Sequence, residues 1–179
     1  MKVEDLMTRD VVSCGPGDSV SHAAQLMWEH DCGIVPIVDS ERRPIGLITD
    51  RDACMAGFTT GRALNDIRVG DVMSQSVRVC KLRDSLEAAE TAMRQARVRR
   101  VPIVDEDGHL IGILSLNDLA RAAAARQKKH RDTQGAVRVT DTLAAICQPW
   151  CDIVDSPKQQ ASGDCTAREP VVSVPLFAR

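Results

Sequence analysis

The chain has 179 residues, 44% hydrophobic and 27% charged, and a formal net charge of −2, an ordinary soluble composition with no overall pull toward nucleic acid or an anionic membrane. Tyrosine is absent and tryptophan and phenylalanine occur twice each, so the stacking residues that single-strand binders use are lacking. The apolar runs fall far short of the ~18 residues that span a bilayer, and the opening Met1-Lys2-Val3-Glu4-Asp5 has no apolar signal core, which predicts a cytoplasmic location.

In chain order, residues 3–8 read as a short helical lead-in, and Val11-Val12 as a brief strand closed by Gly15, Pro16 and Gly17. Asp18 or Ser19 caps a helix whose apolar positions Val20, Ala23, Ala24 and Met27 fall at helical spacing, with Gly33 as its stop. Residues 35–38 and 45–48 are short, wholly apolar runs on either side of a polar turn, which predicts a buried hairpin. Thr49 then stands as a helix N-cap with Asp52 at the third helical position. That helix is expected to end near Gly57, and a linker follows over residues 58–68.

The series then returns 66 positions on: residues 3–52 and 69–118 share 17 identities in 50 without a gap. Residues 69–74 repeat the lead-in and 77–79 the brief strand. Asp84 with Glu87 reads as a capping box before the stripe Leu86, Ala89, Met93 and Ala96. Val101-Pro102-Ile103-Val104-Asp105 repeats Val35-Pro36-Ile37-Val38-Asp39, and Ser115 with Asp118 repeats Thr49 with Asp52. The last helix runs through Leu119 and an alanine run to Lys128, Lys129, His130 and Arg131, cations that suit a helix C-terminus.

A unit of roughly 60 residues buries only about 60% of its unfolded surface, and two copies are too few for an open solenoid. The expected fold is therefore α/β (α+β), two β-α-β-β-α repeats sharing one core as a pseudo-twofold pair. Its divisions are residues 1–57, the linker 58–68, residues 69–131 and an extension, 132–179. In the extension, residues 140–148 read as a short helix, 152–170 as a polar, irregular tail and 171–174 as an edge strand. Of the seven cysteines, Cys14 and Cys80 sit in predicted strands as reduced core thiols. Cys147, Cys151 and Cys165 with His130 match no common zinc spacing, so no metal is expected.

Thr49 with Asp52, and Ser115 with Asp118, can be plain helix caps. A carboxylate kept in both copies also suits a diol, which donates two hydrogen bonds to one acidic group. The free N–H groups and positive dipole end beside it suit an anion such as phosphate.

With these marks, residues 3–121 resemble a tandem pair of cystathionine-β-synthase-type (CBS) domains, a Bateman module. The resemblance rests on Asp5-Leu6-Met7-Thr8 and Asp71-Val72-Met73-Ser74, the two Val-Pro-Ile-Val-Asp strands and the two Gly-x-x-hydroxyl-x-x-Asp turns. It implies two clefts for adenosine-containing ligands such as AMP, ADP, ATP, S-adenosylmethionine or NAD, and modules paired as disc-shaped dimers. It makes Asp52 and Asp118 ribose acceptors, sets Thr49 and Ser115 beside the sugar and α-phosphate, and has Leu47 and Ile113 flank adenine. Arg99 and Arg100 stand where such domains reach phosphate, but their first-repeat counterparts are Gly33 and Ile34. Arg51 is a further phosphate contact whose twin, Asn117, is uncharged, so Arg51 and Arg99 are the favoured pair. A solvated basic face is the other reading of Arg94, Arg97, Arg99 and Arg100.

His22, His30 and His109 are expected at the surface, and no catalytic constellation is visible. The expectation is a non-enzymatic homodimer without catalytic cofactor that reports adenine-nucleotide state to a protein partner. The alternative is an adaptor with empty clefts.

Overall fold

Two antiparallel hairpins carry the fold in the computed structural model, which describes residues 2–130 and 134–146. β1 (Ile34–Val38) pairs with β2 (Pro44–Thr49), Val35 opposite Ile48. β4 (Arg100–Val104) pairs with β5 (Leu110–Ser115) in the matching register, Val101 opposite Leu114. Both apolar runs thus form the expected buried hairpins. Each turn holds one left-handed residue, Arg42 at φ 60° and its repeat counterpart Gly108 at φ 90°.

The strand ahead of each hairpin falls later than expected. Cys14 makes a single parallel bridge to Ile37, and β3 (Cys80–Lys81) runs parallel to β4. Cys14 and Cys80 are buried whereas Val79 is exposed, so the pairing follows the side chains that reach the core. Burial, with Asp18 and Asp84 nearby, pushes each thiol up to about 11.

α1 (Val20–Glu29) begins at Ser19, whose hydroxyl accepts the His22 N–H, and α4 (Leu86–Ala96) at Ser85, which accepts the Ala88 N–H. Asp84 is not the cap that its spacing to Glu87 suggests. It and Asp18 fold back, accepting the N–H of Lys81 at 2.8 Å and of Gly15 at 2.7 Å. Nor does Gly33 stop α1: Asp31 takes the left-handed position at φ 48°, as its counterpart Arg97 does at φ 53°. α2 (Asp50–Thr60) runs past Gly57 to Gly61, which takes the left-handed cap at φ 64°. Gly57 instead gives room to Leu64, whose Cδ2 would lie 3.2 Å from an added Cβ.

The opening segments of the repeats change places. A 3-10 turn (Val3–Asp5) leads to Thr8, which exchanges two backbone hydrogen bonds of 2.9 Å with Ile113. The helical turn α3 (Val69–Val72) leads to Ser74, which exchanges bonds of 2.9 and 3.0 Å with Leu47. Val3 and Met7 accordingly sit in a core with Met93, Ile103 and Leu114, and Ile67, Val69 and Val72 in another with Val35, Ile37 and Ile48. The expected single shared core is thus two cores, each closed by the other repeat's opening segment. A side chain at Gly46 or Gly112 would crowd the exchanged segments, its Cβ standing 2.3 Å from Met73 Sδ or 2.8 Å from Met7 Sδ.

α5 (Leu116–His130) follows β5, and α6 (Gln134–Ile146) packs on α4 and α5. α6 starts earlier than the expected 140–148 helix because Val139 and Ile146 join the second core and Thr142, buried, donates its hydroxyl to the Arg138 carbonyl at 2.8 Å. The expected polar tail, the strand at 171–174 and Cys147, Cys151 and Cys165 lie outside the described residues. Among the described residues no helix is long and apolar enough to cross a membrane.

Candidate functional site

Both hydroxyl–carboxylate pairs cap helices as their spacing predicts. Asp52 Oδ2 accepts the Thr49 N–H at 2.9 Å and the Thr49 hydroxyl at 2.8 Å, while Thr49 Oγ1 accepts the Asp52 N–H at 3.2 Å. In the second repeat Asp118 Oδ2 accepts the Ser115 N–H at 2.9 Å and its hydroxyl, and Ser115 Oγ accepts the Asp118 N–H at 3.3 Å. The two sites differ at the remaining oxygen. Asp118 Oδ1 is paired with the Arg121 guanidinium, whereas the counterpart of Arg121 in the first repeat is Met55.

A cleft of about 610 Å³ lies over the second of these caps. The second repeat lines it with Arg100, Ile113, Ser115, Asn117, Asp118, Ala120 and Arg121. The first repeat supplies Thr8, Asp10, Val11 and Val12 from its exchanged opening segment, and His30, Asp31, Cys32 and Ile34 from the end of α1 and start of β1. Asp118 belongs to this wall although it is only 7% exposed. Apolar wall from Val11, Val12, Ile34 and Ile113 therefore meets a buried acceptor and two guanidinium groups, a set that can take a flat ring, a diol and an anion in one ligand.

A smaller groove of about 300 Å³ adjoins it, lined by Arg99, Arg100, Ser115, Leu116, Asn117 and, from α6, Leu143. Arg100 and Ser115 thus face both spaces, and Arg99 lines the groove. Arg51 is exposed on the first turn of α2, and Leu47, Thr49 and Asp52 are half-buried; these four line neither of the two spaces. Ile113 holds its cleft position through the paired bonds to Thr8, as Leu47 holds its own through Ser74.

Several lining residues escape sequence reasoning. Arg121, three positions after Asp118 on one helix face, was legible from spacing. Asp10, His30, Asp31 and Cys32 carry no such signal, because only the exchange and the packing of the repeats bring them to the cleft. His22 is exposed on α1, and His109 lies in the β4–β5 turn with Nδ1 3.0 Å from Asp105 Oδ2. The N–H of His109 lowers the Asp105 carboxyl, helped by the imidazole.

The family model for the CBS domain matches residues 3–57 and 69–125. The chain belongs to the CBS domain family. It is 34% identical over 119 residues to the uncharacterized protein MK0525 of Methanopyrus kandleri, covering 66% of this chain and 61% of that one. It is 35% identical over 150 residues to the inosine-5'-monophosphate dehydrogenase of Methanocaldococcus jannaschii, covering 83% of this chain and 28% of the dehydrogenase. This CBS chain therefore spans under two thirds of the length of both relatives. Among solved structures, CBSX2 in complex with AMP is similar with a TM-score of 0.61 and 31% identity, over 70% of this chain and 98% of that chain.

Proposed function

We propose that the chain is a non-enzymatic regulatory module, a cytoplasmic homodimer that binds an adenosine-containing ligand over Asp118 and reports its level to a protein partner. The observation that carries this reading is a carboxylate 7% exposed, capping the start of its own helix, in the wall of a 610 Å³ cleft. That volume is within the roughly 300–1,000 Å³ of small-molecule sites. The AMP complex of the related CBSX2 supports an adenosyl ligand.

Asp118 takes the ribose diol, Ser115 stands beside the sugar, Ile113 packs on adenine, and Arg100 meets phosphate with Arg99 adding positive field from the groove. Arg121 must yield Asp118 Oδ1 to the diol. Its side chain is 78% exposed, so the guanidinium can turn to the incoming phosphate while the diol hydroxyls replace its hydrogen bond to the buried carboxylate. In the first repeat Asp52, Thr49, Leu47 and Arg51 play the corresponding parts for a second ligand.

Calorimetric titration of AMP, ATP, adenosine and S-adenosylmethionine into ligand-free protein tests the assignment. Replacing Asp118 by alanine removes charge-assisted hydrogen bonds of ~1.5–3 kcal/mol each, so affinity should fall at least tenfold, and Arg100→Met should weaken AMP more than adenosine. Unchanged affinity in Asp118→Ala and Asp52→Ala would overturn the site. Failure of every adenosyl compound at millimolar concentration would leave the adaptor reading in its place.

A further inference from the structure

The match to the CBS family model ends at residue 125, so α6 lies beyond it, and yet α6 borders the ligand site. The groove of about 300 Å³ beside the cleft is walled by Arg99, Arg100, Ser115, Leu116 and Asn117 of the second repeat and closed by Leu143 of α6. Arg100, Ser115 and Asn117 line cleft and groove alike, so a ligand chain that runs past them leaves one space for the other. Among the described residues no carboxylate lines the groove, and neither Arg99 nor Arg100 is salt-bridged. Leu143 stands in the last turn of α6, which holds no cation. The carbonyls of a helix's last turn carry partial negative charge, and Arg99 and Arg100 are the cations that answer it across the groove.

We propose that α6 is a strap displaced by the distal anion of the cleft ligand: an adenosyl compound whose phosphate chain passes Arg100 into the groove unseats α6, and one that ends at its first phosphate does not. The inference rests on the ligand reading above and supplies its reporting step.

An anion in the groove takes the two guanidiniums from the helix end and faces that end with like charge, so filling the groove and seating α6 oppose one another. Such coupling is reciprocal: a seated α6 weakens the long ligand by the same factor by which the long ligand weakens the seat. The short ligand stays in the cleft, on Asp118 and the apolar wall, and meets no part of α6. The seat itself is light. Val139 and Ile146 only partly enter the second core, Val137 is exposed, and Glu90 Oε2 and Arg138 Nε lie buried with no hydrogen bond to either. At 13 residues, α6 is about as long as the helices that are marginal alone in water. Off its seat it melts, which opens the backbone at Arg138.

Trypsin digestion of the full-length chain, read by mass spectrometry as cleavage after Arg138, tests this beside calorimetric titration of ATP and AMP. Saturating ATP should raise the cleavage rate severalfold, and saturating AMP should leave it unchanged. Val139→Ala loosens the seat at a residue that lines neither space. It should therefore be cleaved faster without ligand and bind ATP severalfold more tightly than the wild type, with AMP affinity unchanged. ATP that binds without altering cleavage overturns the strap and leaves the ligand reading standing, as does ATP affinity that is equal or lower in Val139→Ala. Equal acceleration by AMP overturns the part played by the groove. Failure of both nucleotides to bind overturns the strap, and the ligand reading falls with it when adenosine and S-adenosylmethionine fail as well.

Discussion

Gly112 sets how closely the first repeat's opening segment approaches β5. An added Cβ would lie 2.8 Å from Met7 Sδ and 2.9 Å from the Thr8 carbonyl oxygen. A thioether can move aside, but the carbonyl is held by the Ile113 N–H at 2.9 Å. Gly112→Ala should therefore cost about 1–3 kcal/mol as an overpacked site, read as a lower midpoint in urea. Gly46→Ala should cost less, because the three atoms nearest its added Cβ all belong to the Met73 side chain. An equal or inverted order would mean that the paired backbone is softer than its hydrogen bonds imply.

At the scale of elements, α6 is seated by an ion pair that is poorly satisfied. Glu90 is 3% exposed, and Glu90 Oε2 and Arg138 Nε are 3.4 Å apart with no hydrogen bond to either atom. Burial raises the Glu90 carboxyl above its ordinary 4.5, with Arg138 and Arg94 pulling it down and Glu87 adding to the rise. The folded chain thus holds this proton more tightly than the unfolded one. The resulting stability is present below the ordinary value and is lost as pH rises through the raised one. Glu90→Gln has no charge to bury at any pH, and Arg138 keeps Glu87 at 3.3 Å. Relative to Glu90→Gln, the wild type should lose melting temperature as pH is raised from the ordinary carboxylate value toward neutrality. A wild type that gains on the mutant over that range would show that attraction to Arg138 outweighs burial.

Over the whole molecule, the exchange makes each core depend on the other repeat. Val3 and Met7 cannot leave the second core while Thr8 stays paired with Ile113, and Val69 and Val72 close the first core beside the Ser74 pairing with Leu47. Neither lobe can open without exposing the other's apolar surface, so calorimetric unfolding should show one transition with equal calorimetric and van't Hoff enthalpies. Gly112→Ala should move that whole transition. Two resolved transitions, only one of them shifted by the substitution, would mean that the lobes unfold independently.

Self-comparison at an offset of 66 determined the repeat, and spacing determined the two hairpins and the two hydroxyl–carboxylate caps, because these depend on residues within a few positions of one another: Thr49 with Asp52, Ser115 with Asp118, and the apolar runs around each turn. Helix ends were less legible, since Asp31, Arg97 and Gly61 take left-handed positions that Gly33 and Gly57 also suit by composition. Tertiary structure alone decided the exchange of opening segments, the seating of α6 and the cleft wall that sets Asp10 and Asp31 against Asp118 and Arg121. Those contacts join residues tens of positions apart, where burial of one surface against another, not local propensity, selects the neighbour.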